Sequence, residues 1–306
     1  MSNDSIWPQV IQKASEIILD KTNEVEMALT CLLAGGHLLI EDVPGVGKTT
    51  LVQTLAKLLN LNYSRIQFTS DLLPSDILGN SIYDQEKKEF QFIPGPLFAE
   101  LVLADELNRA NPRTQSALLQ AMEEGVVSID RSTHSLPRPF FLFATQNPRN
   151  QTGTFPLPES QLDRFLMSIG MNYASYHSEV AIFLGQNPRE QLSSLQPLVS
   201  TETLVATQHA ISQVTISELL AKYIADLLNY SRQHQNLYLP LSTRTGIALS
   251  RAARARAYLK GRNFCLPDDV KAIATAVLAH RLGGADGIDF GRIKAFELLN
   301  SVAIPQ

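Results

Sequence analysis

A short apolar run, His37-Leu-Leu-Ile40, passes directly into Asp42-Val-Pro-Gly-Val-Gly-Lys-Thr49 and then into an amphipathic stretch marked by Leu51, Leu55 and Leu59. Strand, glycine-rich turn and helix in immediate succession confine this part of the chain to an α/β layer, with the turn at the carboxyl end of the strand. The turn meets the phosphate-loop pattern G-x-x-x-x-G-K-[ST] at every position but the first, where Asp42 replaces Gly. Gly45 and Gly47 let backbone N–H groups turn inward around phosphate oxygens without a Cβ clash. The helix that follows offers its positive end to the same anion. Lys48 can reach the β- and γ-oxygens, and the Thr49 hydroxyl suits Mg²⁺. Asp42 is tolerable at its position because Asp is among the few non-glycine residues that visit left-handed conformations. The candidate phosphate-contacting set is Asp42, Val43, Pro44, Gly45, Val46, Gly47, Lys48, Thr49 and Thr50.

Two further strand ends carry chemistry. Leu101-Val-Leu-Ala104 ends in Asp105-Glu106, so a buried strand would deliver paired carboxylates to the sheet edge beside the loop. Asp105 would hold Mg²⁺ through its water shell, and Glu106 would orient and polarise an attacking water. Phe140-Phe-Leu-Phe-Ala-Thr-Gln-Asn147 is a second buried strand ending in amides, and Asn147 could contact the γ-phosphate and the lytic water together.

The remaining pattern supplies the frame. Ser64–Phe68 and Phe165–Ile169 are further strand-sized segments, and runs without strict alternation suit parallel strands covered on both faces. After about residue 172 the period becomes helical. Ile216, Leu219, Leu220, Tyr223, Ile224, Leu227 and Leu228 form one face, and Val270, Ile273, Ala274, Val277 and Leu278 form another after Pro267-Asp-Asp269. Thr245–Leu259 reads as a helix between them. The expected architecture is a parallel-sheet αβα core over residues 1–172, with N-terminal helices. Residues 173–306 are expected to form a linker and an all-α domain of three or four helices, with linkers near Tyr173–Ser178 and from Asn187 to Ser200.

Composition excludes several classes. At 306 residues and 44% hydrophobic content, with 18% charged, the chain can bury real cores and is not of disordered type. No apolar run approaches the ~18 residues of a membrane span, and the first residues lack the basic and apolar segments of a signal peptide. Cys31 and Cys265 stand far apart in apolar contexts, which suits reduced thiols and a cytoplasmic location. A net charge of −4 sets up no field towards nucleic acid or anionic lipid.

The run Ala104-Asp-Glu-Leu-Asn-Arg-Ala-Asn-Pro-Arg-Thr-Gln-Ser-Ala-Leu-Leu-Gln-Ala-Met-Glu-Glu124 closely resembles the MoxR family of AAA+ ATPases. So do Glu41-Asp-Val-Pro-Gly-Val-Gly-Lys-Thr49, Thr145-Gln-Asn-Pro148 and Leu157-Pro-Glu-Ser-Gln-Leu-Asp-Arg-Phe165. The resemblance extends from about residue 15 to 285, and Asp42 is normal for that group. It implies an AAA+ P-loop fold with a helical lid, ATP and Mg²⁺ as ligands, ATP hydrolysis, and a homo-oligomer, usually a hexameric ring. It also implies that Arg164 matches the arginine finger reaching a neighbour's γ-phosphate in trans. Arg244, in Leu241-Ser-Thr-Arg-Thr245, matches the sensor-2 arginine, in cis or in trans. The family implication is chaperone-like remodelling or maturation of partner complexes, often with a von Willebrand A domain protein. Asp71–Pro96 and Gly125–Leu136 look like the family's hairpin insertions.

Other signals weigh less. Arg251, Arg254, Arg256, Lys260 and Arg262 form a basic cluster, but no aromatic stacking pattern accompanies it, so a solvated or inter-subunit face is expected rather than a nucleic-acid site. The six histidines have no zinc-site spacing, and no Gly-x-Ser-x-Gly elbow occurs. Trp7 is expected to pack within the N-terminal segment. The alternatives to a chaperone-like ATPase are a metal-chelatase-type motor subunit, a nucleic-acid-stimulated motor and a non-hydrolysing, nucleotide-gated scaffold.

Overall fold

The computed structural model describes residues 6–41, 43, 45–130, 132–147, 153–185, 188–236 and 238–304. Two helices, α1 (Ile6–Ile17) and α2 (Thr22–Leu33), precede β1 (Leu38–Glu41), α3 (Lys48–Leu58) and β2 (Tyr63–Gln67). The chain continues through α4 (Pro74–Leu78), the hairpin β3 (Gly79–Asp84) and β4 (Glu89–Pro94), then β5 (Leu101–Asp105) and α5 (Pro112–Glu124). A second hairpin, β6 (Val126–Ile129) with β7 (Ser132–Ser135), leads to β8 (Phe141–Gln146), α6 (Glu159–Leu162) and β9 (Met167–Ile169). Seven described helices follow: α7 (Tyr176–Phe183), α8 (Pro188–Ser194), α9 (Thr201–Ser212), α10 (Glu218–Gln233), α11 (Thr243–Leu259), α12 (Pro267–Leu282) and α13 (Ile288–Ser301).

The central sheet has five strands in the order β2-β5-β8-β1-β9, all parallel. Leu38, Leu39 and Ile40 of β1, Leu101 to Ala104 of β5 and Phe141 to Ala144 of β8 are buried, as strands covered on both faces must be. Register aligns Gln67 with Asp105, and Glu41 with Gln146, so four carboxyl ends finish level along one edge. Leu38 pairs with Met167, so the amino ends of β1 and β9 also begin level, at the opposite edge. The carboxyl edge is where ligands of open α/β sheets bind.

The helical region is larger than its periodicity suggests. α7 begins inside one expected linker, and α8 lies within the other. Ser175 caps α7 by accepting from Ser178 N, and Pro188 occupies the first position of α8, where a missing N–H is harmless. Asn187 lies outside the described residues. The expected face beginning at Ile216 is trimmed for the same kind of reason. Ser217 caps α10, which places Ile216 before the helix, where it still packs against the core; Leu219 is exposed, while Leu220, Tyr223, Ile224, Leu227 and Leu228 are buried. Val270, Ile273, Ala274, Val277 and Leu278 of α12 are fully buried, as is Trp7 in α1. No helix among the described residues is long and apolar enough to cross a membrane.

α12 is fixed to the sheet through His280, which is 1% exposed. Its Nε2 lies 3.1 Å from the Phe165 carbonyl and its Nδ1 lies 3.0 Å from Ser168 Oγ. A neutral ring satisfies both, with Nε2–H donating to the carbonyl. Burial first, and the Arg281 charge second, hold this imidazole well below its ordinary value of 6.5. The unfolded chain therefore binds the extra proton first, so the contribution is complete above 6.5 and lost as pH falls below it. Urea unfolding between about pH 4 and 7 should show stability declining with acid, with a shallower slope in His280→Gln; equal slopes would contradict this assignment.

Candidate functional site

Gly45 and Gly47 adopt φ values of 88° and 92°, which side chains rarely tolerate, and Gly47 caps the amino end of α3. Lys48 begins that helix at 9% exposure, followed by Thr49 and Thr50. These residues share a 360 Å³ cleft with Arg65, Gln67, Asp105, Glu106 and Asn147. Asp42 and Pro44 of the loop lie outside the described residues, as do Pro148 and Arg131 of the quoted runs. Val43 is described but does not line this cleft. Val46 lines an adjoining cavity instead.

The two carboxylates at the end of β5 are held differently. Asp105 Oδ1 accepts from the Thr145 hydroxyl at 2.6 Å, and Oδ2 meets Arg65 Nη2 at 2.7 Å. Glu106 has a left-handed backbone, φ 57° and ψ 44°, uncommon for a side chain of this size. Two bonds over-determine it: its N–H donates to Thr145 Oγ1 at 2.8 Å, and its carbonyl accepts from Arg109 N at 2.8 Å. Its carboxylate takes Gln67 Nε2 at 3.0 Å, Asn147 Nδ2 at 3.1 Å and Arg109 Nε at 3.0 Å. Asn147 is itself fixed by reciprocal backbone–amide bonds with Asn108. The arrangement aims a carboxylate from the sheet edge into the cleft, with two amide donors and one ion pair controlling its orientation.

Sequence reading missed Arg65, Gln67, Thr145 and Arg109. One signal was available. Alternation in β2 puts Arg65 and Gln67 on the same side of the strand, both exposed, with Ile66 buried between them. The pairing of β2 with β5 then sets both beside the acidic pair.

A second cavity of 310 Å³ shares Gly45, Gly47 and Thr50 with the cleft and is walled by Ile17, Ile18, Val46, Tyr173, Ile182 and Phe183. It is largely apolar. Its outer wall is tied to the α1–α2 turn, since Lys21 Nζ donates to the Tyr173 carbonyl at 3.0 Å and the Ser175 and Ser178 hydroxyls both donate to Asp20. Those two hydroxyls hold the Asp20 carboxyl below the usual carboxylate range.

Arg164 and Arg244 are elsewhere. They line a 300 Å³ cleft with Gly36 and His37, at the amino end of β1. Leu166 N donates to the His37 carbonyl at 2.9 Å, which holds the Arg164 segment at that edge. Asp163, adjacent in sequence to Arg164, is engaged by Arg281 Nε at 2.7 Å. Arg164 Nε instead meets Glu123 at 2.9 Å, and Arg244 Nη2 meets the same carboxylate at 2.8 Å.

The basic cluster is only partly solvated: Arg251 and Lys260 are exposed, yet each of its cations has a partner within the chain. Arg251 donates to the Ala34 and Gly35 carbonyls and Arg254 to the Val214 carbonyl; Arg256 and Lys260 pair with Glu26, and Arg262 with Asp269. Cations committed in this way make a poor track for a phosphate polymer. Among the described residues no group of three or more His, Cys, Asp or Glu could hold a metal. Burial pushes both thiols up, that of Cys265 to about 11, so neither is a ready nucleophile.

A glycine-rich loop, a paired carboxylate on the adjacent-but-one strand and a helical domain against the sheet define a P-loop ATPase of the AAA+ class. The family model described as "ATPase family associated with various cellular activities (AAA)" matches residues 37–167, and the AAA lid domain matches residues 229–290. The chain is 41% identical to the uncharacterized protein YeaC of Bacillus subtilis, over 97% of this chain and 94% of that one. It is 37% identical to chaperone MoxR1 of Mycobacterium tuberculosis, over 97% and 82%. It is 31% identical to protein MoxR of Paracoccus denitrificans, over 92% and 91%. A solved structure from Cytophaga hutchinsonii superposes with a TM-score of 0.87 at 38% identity, covering 99% of this chain and 96% of that one. The chain belongs to the MoxR family of AAA+ ATPases.

Thr145 is fully buried and serves both Asp105 and Glu106. Thr145→Val keeps the shape and leaves the Glu106 N–H without its acceptor, so chemical denaturation should show a loss of about 1–3 kcal/mol. Unchanged stability would contradict the bridging role.

Proposed function

We propose that this protein hydrolyses ATP in a ring of identical subunits, probed most directly by the separation of its two functional clefts. The loop and carboxylates stand at the carboxyl edge of the sheet, whereas Arg164 and Arg244 stand at the amino edge. The four residues of β1 and their flanks set these edges roughly 13–16 Å apart. That separation is the observation carrying the proposal. Arginines so placed are suited to a neighbour's nucleotide rather than their own, and Arg244, sharing Glu123 with Arg164, is assigned with it in trans.

The cleft fits the ligands. Two positive-φ glycines and a helix amino end form an anion cradle, and Thr49 and Asp105 offer the hard oxygen donors that Mg²⁺ accepts alongside phosphate and water. Bound Mg²⁺ would neutralise charge on the phosphate oxygens. In this reading Lys48 binds the β- and γ-phosphates and Glu106 orients the attacking water. Asn147 keeps Glu106 and the γ-phosphate in register, and the apolar cavity beside the loop takes the base. Arg164 of the neighbour stabilises charge developing on the transferred group.

The core is taken to end at residue 172 and the linker and lid to begin at 173. Changes in the angle between them, driven by turnover, would shift ring contacts. The role we assign is chaperone-like remodelling of partner complexes in the cytoplasm, in keeping with the name of the Mycobacterium tuberculosis relative. A hexameric ring and a von Willebrand A domain partner belong to the same proposal.

Lys48→Ala should abolish binding of a fluorescent ATP analogue, whereas Glu106→Gln should retain binding and lose turnover. Full turnover by Glu106→Gln would remove the assigned mechanism. Arg164→Ala should lower turnover by about 10²–10³-fold. Mixing Arg164→Ala with Glu106→Gln subunits should restore part of the activity, because some interfaces then hold an intact cradle facing an intact arginine. No restoration in the mixture would rule out shared sites.

A further inference from the structure

We propose that Glu123 is a positioning residue that sets Arg164 and Arg244 as one unit for the neighbouring protomer's triphosphate; this rests on the shared-site reading above. Each of its oxygens takes one guanidinium, Oε2 at 2.9 Å from Arg164 Nε and Oε1 at 2.8 Å from Arg244 Nη2. The three residues come from separate elements. Glu123 is in the last turn of α5, Arg164 is in the turn between α6 and β9, and Arg244 is in the first turn of α11. One carboxylate thus joins the sheet domain's arginine to the helical domain's.

Helix electrostatics favour this pairing across elements. A carboxylate in the last turn of α5 faces the negative end of its helix, with no basic residue there to offset it. Arg244 sits at the positive end of α11, whose first turn has no acidic residue. Each is at the unfavourable end of its own helix, and the pairing across elements compensates both. Without Glu123, the Arg164 and Arg244 guanidinium groups would lose the carboxylate they share and repel one another.

The backbone around Arg164 is already clamped. Arg281, 5% exposed, binds the Asp163 carboxylate and the carbonyls of Asp163 and Phe165. Asp163 is therefore committed, and the orientation of the Arg164 side chain is left to Glu123. The contact to Glu123 runs through Nε at 2.9 Å, and the Nη groups of a guanidinium are the donors suited to bidentate contact with phosphate oxygens. Exposure of 27% for Arg164 and 52% for Arg244 keeps both within reach of a second protomer.

The role predicts which side of an interface Glu123 serves. Steady-state ATP turnover should fall about tenfold in kcat for Glu123→Ala, with KM for ATP and binding of a fluorescent ATP analogue nearly unchanged, since the cradle lies at the other edge. Glu123→Asp, which keeps the charge, should retain more kcat than Glu123→Gln, which keeps the shape; a packing role would give the reverse order. Glu123→Ala subunits mixed with Glu106→Gln subunits should regain activity. Mixed with Arg164→Ala subunits they should regain none, because both lesions lie on the arginine side. Undiminished kcat in Glu123→Ala, the reverse order of the two conservative variants, or restoration by Arg164→Ala subunits would overturn the proposal. So would no gain with Glu106→Gln while Arg164→Ala with Glu106→Gln recovers. If that reference mixture also fails to recover, the shared-site reading itself falls, and this proposal with it.

Discussion

All five strands of the central sheet run the same way, and this single constraint separates the chemistry of the molecule into two places. Parallel strands deliver every carboxyl end to one edge, so the loop after β1, the acidic pair after β5 and the amides after β8 converge without any long-range steering. The same rule sends whatever precedes a strand to the opposite edge. Arg164 precedes β9 by three residues and is carried there with no choice in the matter. In the proposed ring, the anion cradle at one edge and the guanidinium groups at the other would be the two halves of a site shared between neighbours. The ring proposed above draws on that polarity.

Within the cleft, precision comes from buried hydroxyl and amide groups more than from the charged residues themselves. Thr145 ties Asp105 to the Glu106 backbone, and Asn108 fixes Asn147, which in turn fixes Glu106. Each of these bonds is shielded, where a lost partner is expensive and a satisfied one holds its geometry. The left-handed backbone of Glu106 is sustained by that network. Strain of this kind, paid for by surrounding bonds, marks a position whose side-chain direction matters.

Legibility from sequence followed the range of the interactions involved. The loop, Asp105, Glu106 and the five strands are local patterns, a few residues long, and periodicity or spacing suffices to place them. The helical face of α12 is equally local, and every apolar residue assigned to it is buried. Errors arose where an apolar residue of the expected face points outward, as Leu219 does, or where a capping residue started a helix inside a presumed linker, as Ser175 did. Contacts between side chains distant in the chain were invisible. Nothing in the run that contains Glu123 signals that it meets Arg164 and Arg244, 121 residues away in the second case. The basic cluster shows the same limit, because its cations look solvated in sequence and are bound to carbonyls and carboxylates in the fold.

The division of each pocket between protomers is tested most directly by specific ATPase activity across a dilution series, with oligomeric state followed by light scattering in the same samples. Turnover per subunit should fall together with the oligomer as dilution separates cradle from guanidinium. A dilute monomer that keeps the full rate would contradict a site built from two chains.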